Sequence, residues 1–411
     1  MDFNEAFQPT GGTTGRSLVL FDEGGAKAGM QAVQEAVGVQ VVPASGHESA
    51  PASGGGILFE ALGVAVVDAP PDQVMQTTGN AAILAVEPER IVHALETRPY
   101  VPPKRNDTVA GGAPAATAGA GALITGVDES QATWGLQVTN VVNSRRSGAD
   151  IRVAVLDTGF DLEHPDFAGR SVTAQSFIAG QEVQDGHGHG THCIGTALGA
   201  KCPGVRPRYG VAHDAEIFAG KVLSNAGSGS DTGILAGIEW AIQNGCAVIS
   251  MSLGAATRPG QPFSQVFERV AKRAQEQGTL IIAAAGNESR RPGIVNPVGH
   301  PANCPSIMAV AAMDVQGAVA RFSNAGINPD GGQIDIAGPG VDVHSSWPLP
   351  TRYRRISGTS MATPHVAGIA ALYAEADPAA RGAALARALT GGAQRLELPS
   401  TDVGAGMVQA P

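Results

Sequence analysis

The chain has 411 residues, of which 43% are hydrophobic and 16% charged, with a net charge of −10. That is enough chain for two or three globular domains and too little charge for disorder driven by charge. No apolar run approaches the ~20 residues of a membrane-spanning helix, and no basic block is present to neutralise phosphates, so neither a membrane span nor a nucleic-acid partner is expected. The first 120 residues hold six Lys/Arg against thirteen Asp/Glu and carry most of the acidity.

In chain order, the opening Met1-Asp2-Phe3-Asn4-Glu5 has neither a basic segment nor an apolar one, so no secretory signal is visible. This leaves the cytoplasm, or export by a route the sequence does not reveal. Arg16–Asp22 reads as a strand. Ala26–Val37 reads as a helix, with Met30, Val33 and Val37 on one face. After a loop over Pro43–Gly56 come Ile57–Ala69, strand-like and broken by Gly63, a short helix opened by Pro70-Pro71-Asp72, and a strand over Ala82–Val86. This β-α-β-α-β order predicts a small α+β sandwich of roughly 80 residues. Residues 96–127 are then rich in Gly, Ala and Pro and read as a linker.

From about Ser130 the pattern becomes doubly wound α/β. Ile151–Leu156, Ile217–Leu223, Ala247–Leu253, Thr279–Ala285 and Ile307–Ala312 are short, nearly all-apolar runs, the mark of parallel strands buried on both faces. Between them, helices are expected over Thr232–Asn244, with Asp231 as its cap, and over Pro262–Gln277. The four cysteines are too sparse for a disulfide scaffold and read as buried free thiols or at most one pair.

Three segments carry chemistry. Val153–Gly159 is a buried strand that delivers Asp157 at its carboxyl end, although a strand-end Asp often just caps a turn. Asp185–His192 holds three histidines, which invites a metal reading, but no carboxylate-rich loop flanks it and no partner cysteine pair stands at zinc spacing. Gly358–Gly368 places Ser360 at a helix N-terminus, where free N–H groups favour developing negative charge, and where an ordinary serine cap would also stand. Together, an Asp, a His and a Ser, each at an element end of one α/β domain, meet the needs of nucleophilic acyl transfer. A weak nucleophile needs a base, and the base needs a carboxylate to fix its tautomer.

The segments VAVLDTG around Asp157, HGTHCIGT from His189 and GTSMATPHVAG around Ser360 resemble the three signatures of the subtilisin-like serine proteases, the subtilases. The likeness runs from Trp134 to Met407. It implies a catalytic domain over 130–411, a linker over 96–129, and an inhibitory, fold-assisting propeptide over 1–95 whose terminal strand and tail are Val86–Leu95. Asp157 would be the orienting carboxylate, His189 the general base and Ser360 the nucleophile, with His192 structural. Asn287, in Ala283-Ala284-Ala285-Gly286-Asn287, would be the oxyanion donor. Ser252-Leu253-Gly254 and Gly227-Ser228-Gly229 resemble the two substrate-pairing strands, and Gly299 the base of a pocket that suits a large apolar P1 residue, with Glu288 near enough to favour a basic one instead.

The resemblance implies a self-processing endopeptidase acting on protein or peptide substrates, inhibited by its own propeptide and cut between Leu95 and Glu96. A protease dedicated to one precursor and an inactive peptide-binding relative are the alternatives. The chemistry needs no cofactor. Asp166 matches a ligand of a structural calcium site in many relatives, but Ala200–Arg208 does not match the loop that supplies the others, so calcium is left open.

Overall fold

In the computed structural model, residues 12–44, 53–95 and 127–411 are described. The Gly/Ala/Pro-rich linker and Glu96 lie almost wholly outside them.

The N-terminal part contains β1 (Thr13–Phe21), α1 (Ala26–Val37), β2 (Gln40–Pro43), β3 (Gly55–Phe59), β4 (Val64–Val67), the single turn α2 (Pro71–Val74) and β5 (Ile83–Ala94). Helix α1 has the bounds its period predicts and stops at Gly38, whose φ of 71° closes the C-terminal turn. The predicted strand around Gly63 is a hairpin, β3 turning into β4, and β2 occupies the unassigned stretch between the predicted helix and the predicted loop, reaching Pro43. The strand expected over Ala82–Val86 runs eight residues further, to Ala94.

The C-terminal part is a seven-stranded sheet, parallel at every pairing. In chain order it is preceded by α3 (Trp134–Val138). Then come β6 (Arg152–Asp157), β7 (Val172–Ser176), α4 (His189–Leu198), β8 (Glu216–Lys221), β9 (Ser228–Ser230), α5 (Asp231–Gln243), β10 (Val248–Met251), β11 (Leu253–Gly254), α6 (Gln265–Glu276), β12 (Leu280–Ala284), β13 (Met308–Met313), β14 (Ile336–Pro339), the hairpin β15 (Val343–Trp347) and β16 (Arg352–Ile356), and α7 (Thr359–Ala376). The sheet order is β14-β13-β12-β10-β6-β8-β7. All its strands but the partly exposed edge strand β7 are buried on both faces: helices α5 and α6 cover one, α4 and α7 the other. The run predicted over Ala247–Leu253 splits, β10 staying in this sheet while β11 leaves it.

Strand β5 joins the two parts. Its first half pairs with β1, from Ile83 opposite Phe21 to Arg90 opposite Thr13. Its last residues enter a cleft and pair antiparallel on both sides, with β9 (Ile91–Ser230, Val92–Gly229, His93–Ser228) and with β11 (His93–Gly254, Ala94–Leu253).

Two carboxylates on one side of β5 reach helix N-termini of the other part. Glu87 accepts from Gln265 N at 2.6 Å and from the Ser264 hydroxyl at 2.6 Å at the start of α6. Glu89, buried, accepts from Thr232 N at 3.0 Å at the start of α5 and is paired with Arg16 at 2.5 Å. Sequence reading makes Asp231 the cap of α5. Instead Asp231 is the first helical residue, preceded by Ser230, and the free N–H of Thr232 is satisfied by Glu89 from 143 residues earlier.

Candidate active site

The carboxyl end of β6 delivers Asp157, as the all-apolar run before it requires. One carboxylate oxygen accepts from Thr158 N at 2.7 Å and from His189 Nδ1 at 2.8 Å, and both side chains are buried. His189 opens helix α4, and the glycine after it is obligatory. A Cβ at Gly190 would stand 2.2 Å from the Gly159 carbonyl oxygen, so only Gly lets the helix abut the Asp157 turn. Burial opposes charge on the His189 ring, but Asp157 beside it prevails and holds the pKa well above the ordinary 6.5. Cys193, one turn along, lies 3.8 Å from His189 Nδ1. Its thiol is pushed up to about 11 by burial, so it is neutral and lends the ring no charge.

Ser360 is the second residue of α7, and its hydroxyl donates to the carbonyl oxygens of Leu95 at 2.6 Å and Ser252 at 3.0 Å. His189 Nε2 is buried without a hydrogen-bond partner, so no bond joins it to Ser360 Oγ while that hydroxyl faces the Leu95 and Ser252 carbonyls. Asn287 Nδ2 donates to the same Leu95 oxygen at 2.5 Å, while Asn287 Oδ1 is held by Thr359 N and the Thr359 hydroxyl, both at 2.9 Å. A Cβ at Gly358 would stand 2.7 Å from the Leu95 oxygen, which explains glycine immediately before Thr359-Ser360.

The substrate-strand residues frame the same tail. Leu95 N donates to Ser252 O at 3.3 Å and Ala94 N to Gly227 O at 2.9 Å, with Ser228 and Gly229 in β9 and Leu253 and Gly254 in β11 as the paired flanks. The Leu95 side chain is buried against Gly254. Gly299 bridges the strands behind, its N–H on Ala285 O at 2.9 Å, where a Cβ would meet Ala255 O at 2.9 Å. Glu288 is turned to Asn324 Nδ2 at 2.5 Å, and burial raises its pKa.

Sequence reasoning missed a supporting layer. Asp185 accepts from Thr158 Oγ1 (2.9 Å), Gly188 N (2.8 Å), and Thr191 N and Oγ1 (2.9 and 2.8 Å), tying the Asp157 turn to the His189 helix. Burial works to raise its pKa, but those donors hold it below the ordinary carboxylate value. Lys221, opposite Asp157 in register and fully buried, bonds Thr158 O and Asn225 Oδ1. A buried lysine at a strand end was the available signal. His192 is structural in placement: its Nε2 lies 3.0 Å from Val343 O, and burial takes its pKa down to about 3.

Residues 148–407 match the subtilase family (Peptidase_S8). The chain belongs to the subtilases. Subtilisin DY of Bacillus licheniformis is 41% identical over 226 residues, 55% of this chain and 77% of that protein. Subtilisin E of Bacillus subtilis (strain 168) is 42% identical over 235 residues, 56% of this chain and 57% of that protein. A thermostable alkaline protease of Halalkalibacterium halodurans is 42% identical over 244 residues, 58% of this chain and 62% of that protein. The chain is thus a serine peptidase of the subtilisin type, a family that needs no cofactor for catalysis.

Asp157, His189 and Cys193 offer ligand atoms within 4.8 Å of one another, but Asp157 and His189 engage each other and the thiol is neutral, which does not suit a metal ligand set. Asp166, the residue left open for calcium, does not fit it. Its oxygens accept from Tyr209 OH (2.6 Å), Gly204 N (2.8 Å) and Tyr353 OH (3.1 and 3.2 Å). Protons point at the carboxylate from every bonded side, and calcium needs six to eight oxygen lone pairs instead. Among the described residues, no group of three or more His, Cys, Asp or Glu side chains forms around it.

Proposed function

We propose that this subtilase is a self-processing endopeptidase zymogen in which β5 is the first substrate. Ser360 is the nucleophile, His189 the base that takes its proton at the free Nε2, and Asp157 the carboxylate that fixes the ring and stabilises the imidazolium. Asn287 Nδ2, with the Ser360 N–H, stabilises the oxyanion, a donor of this kind contributing roughly 2.7–4 kcal/mol in the transition state.

The observation that carries the reading is the Leu95 carbonyl, whose oxygen is 2.6 Å from Ser360 Oγ and 2.5 Å from Asn287 Nδ2. The tail reaches that position by main-chain pairing on both sides, the mode in which an extended peptide is held by added strands. Cleavage therefore falls between Leu95 and Glu96. Because the strand is tethered, the reaction is intramolecular and fast relative to cleavage of free peptides. The severed residues 1–95 stay docked and inhibit until digested. Leu95 packed on Gly254 supports a preference for large apolar P1 residues.

Expression of the wild type beside Ser360→Ala, followed by intact mass and N-terminal sequencing, tests this. The wild type should yield a fragment beginning at or near Glu96, and Ser360→Ala should remain uncut. A first cut beyond Leu123, with no transient species near Glu96, would overturn the processing site. Failure of Ser360 to take a fluorophosphonate label would overturn the peptidase reading itself.

A further inference from the structure

Recognition of β5 does not end with the strand pairing. Counting back from Leu95, the first five residues engage the cleft through backbone pairing and the buried side chains of Leu95 and Val92, and β9 ends opposite Ile91. The sixth, Arg90, meets a side chain. Its N–H donates to Asp231 Oδ2 at 2.9 Å, and its Nη1 lies 3.6 Å from the same oxygen. Asp231 is fully buried, and its other oxygen is bound by His300 Nε2 at 2.9 Å. His300 is itself buried, and its Nδ1 has no partner, so the ring is spent on holding this one carboxylate.

Once β5 leaves, Asp231 keeps His300 but loses both contacts from Arg90. Water then reaches the freed oxygen, and a substrate that brings back an N–H and a guanidinium replaces that water with charge-assisted bonds. In the intact chain Arg90 is shared with Glu87, 3.3 Å from both guanidinium nitrogens. A substrate arriving from outside brings no Glu87, so its guanidinium would face Asp231 alone.

We infer that the cleft has a specificity subsite at the sixth residue before the scissile bond, where Asp231, braced by His300, takes the backbone N–H and basic side chain of a protein substrate. The inference rests on the peptidase reading above. It predicts Arg or Lys as preferred there, Glu as disfavoured, and Pro as penalised for its missing N–H.

The test uses the mature enzyme and internally quenched peptides Xaa-Ile-Val-His-Ala-Leu-reporter, with Xaa as Arg, Ala, Glu or Pro, beside the tetrapeptide Val-His-Ala-Leu-reporter. Arg should exceed Ala in kcat/KM by about three- to tenfold, mostly through KM, with Glu and Pro below Ala and the Arg advantage shrinking as salt is raised. In Asp231→Asn the Arg-to-Ala ratio should fall below about twofold, a ratio taken within one enzyme so that a general change in activity cancels. Should that variant not fold, the wild-type profile and its salt dependence decide the matter alone. Tetrapeptide cleavage with equal rates for Arg, Ala and Glu would overturn the subsite and leave the peptidase reading standing. No cleavage of any peptide would overturn both.

Discussion

In the proposed mechanism, proton transfer between Ser360 and His189 sets the pH dependence of this protein. The active form needs a neutral imidazole, and Asp157 holds the ring's pKa well above 6.5. Departure of β5 admits water and relieves the burial that opposes the charge, so the direction persists in the mature enzyme. As pH falls through that raised pKa the base is lost. The acid limb of kcat/KM should therefore inflect above pH 6.5, and Asp157→Asn should lower kcat by about 10⁴. An acid limb below 6.5 in stopped-time assays would contradict the Asp157–His189 coupling. Thr359 acts one step back, through its two bonds to Asn287 Oδ1. Thr359→Val removes one of them and should lower kcat about fivefold with KM nearly unchanged, since a neutral hydrogen bond is worth about 1 kcal/mol. At this scale the sequence is most legible. Asp157, His189, Ser360 and Asn287 each stand inside a contiguous motif, because backbone turns position them. Asp185 stands inside a quoted motif and escapes notice because the histidines beside it draw the attention, while Lys221 escapes because the fold alone brings it to Thr158.

Elements are legible when they make their own hydrogen bonds and hard to read when another segment completes them. Helix α1 shows its apolar period and its glycine stop, and its bounds follow. Strand β5 does not, because Glu87, Pro88, Glu89 and Arg90 break the alternation expected of a half-buried strand. Those polar residues are accommodated by helix termini 143 to 178 residues further on. For the same reason Asp231 looks like a cap from sequence while the cap is Glu89. The two caps would hold the N-terminal part in place after the proposed cleavage, so Glu87→Ala and Glu89→Ala should each weaken that hold by about 1 kcal/mol. Progress curves of the full chain would then show a shorter lag between cleavage at Leu95 and activity on added peptide. An unchanged lag in the double variant would mean that backbone pairing alone retains the part.

For the whole molecule, two buried features govern stability without touching chemistry. The Asp166 carboxylate is satisfied by Tyr209, Tyr353 and Gly204, so this corner should unfold at the same temperature in chelator and in calcium. Tyr353→Phe should destabilise by about 1 kcal/mol in either medium, and a calcium-dependent shift abolished by Asp166→Asn would refute the assignment. His365, buried against Met361 O at 2.8 Å, has its pKa lowered by burial to about 4. The unfolded chain binds that proton more tightly, so stability is unaffected above pH 6.5 and falls as pH drops from there towards 4. His365→Gln should flatten part of that decline in thermal melts recorded across the range.

The proposed processing has a further consequence at β9 and β11, for the time after β5 would depart. Until then each pairs with β5 alone, which lies between them and matches their peptide groups on that side. Afterwards both become open edges facing each other across the cleft, and open edges are templates onto which any extended chain can add. Both edges are short, three residues and two, and several of their positions are serine or glycine. Short edges with little apolar side chain bind a passing strand without building a lasting sheet. The same brevity that makes the cleft a place of brief visits keeps neighbouring molecules from stacking edge to edge at high concentration.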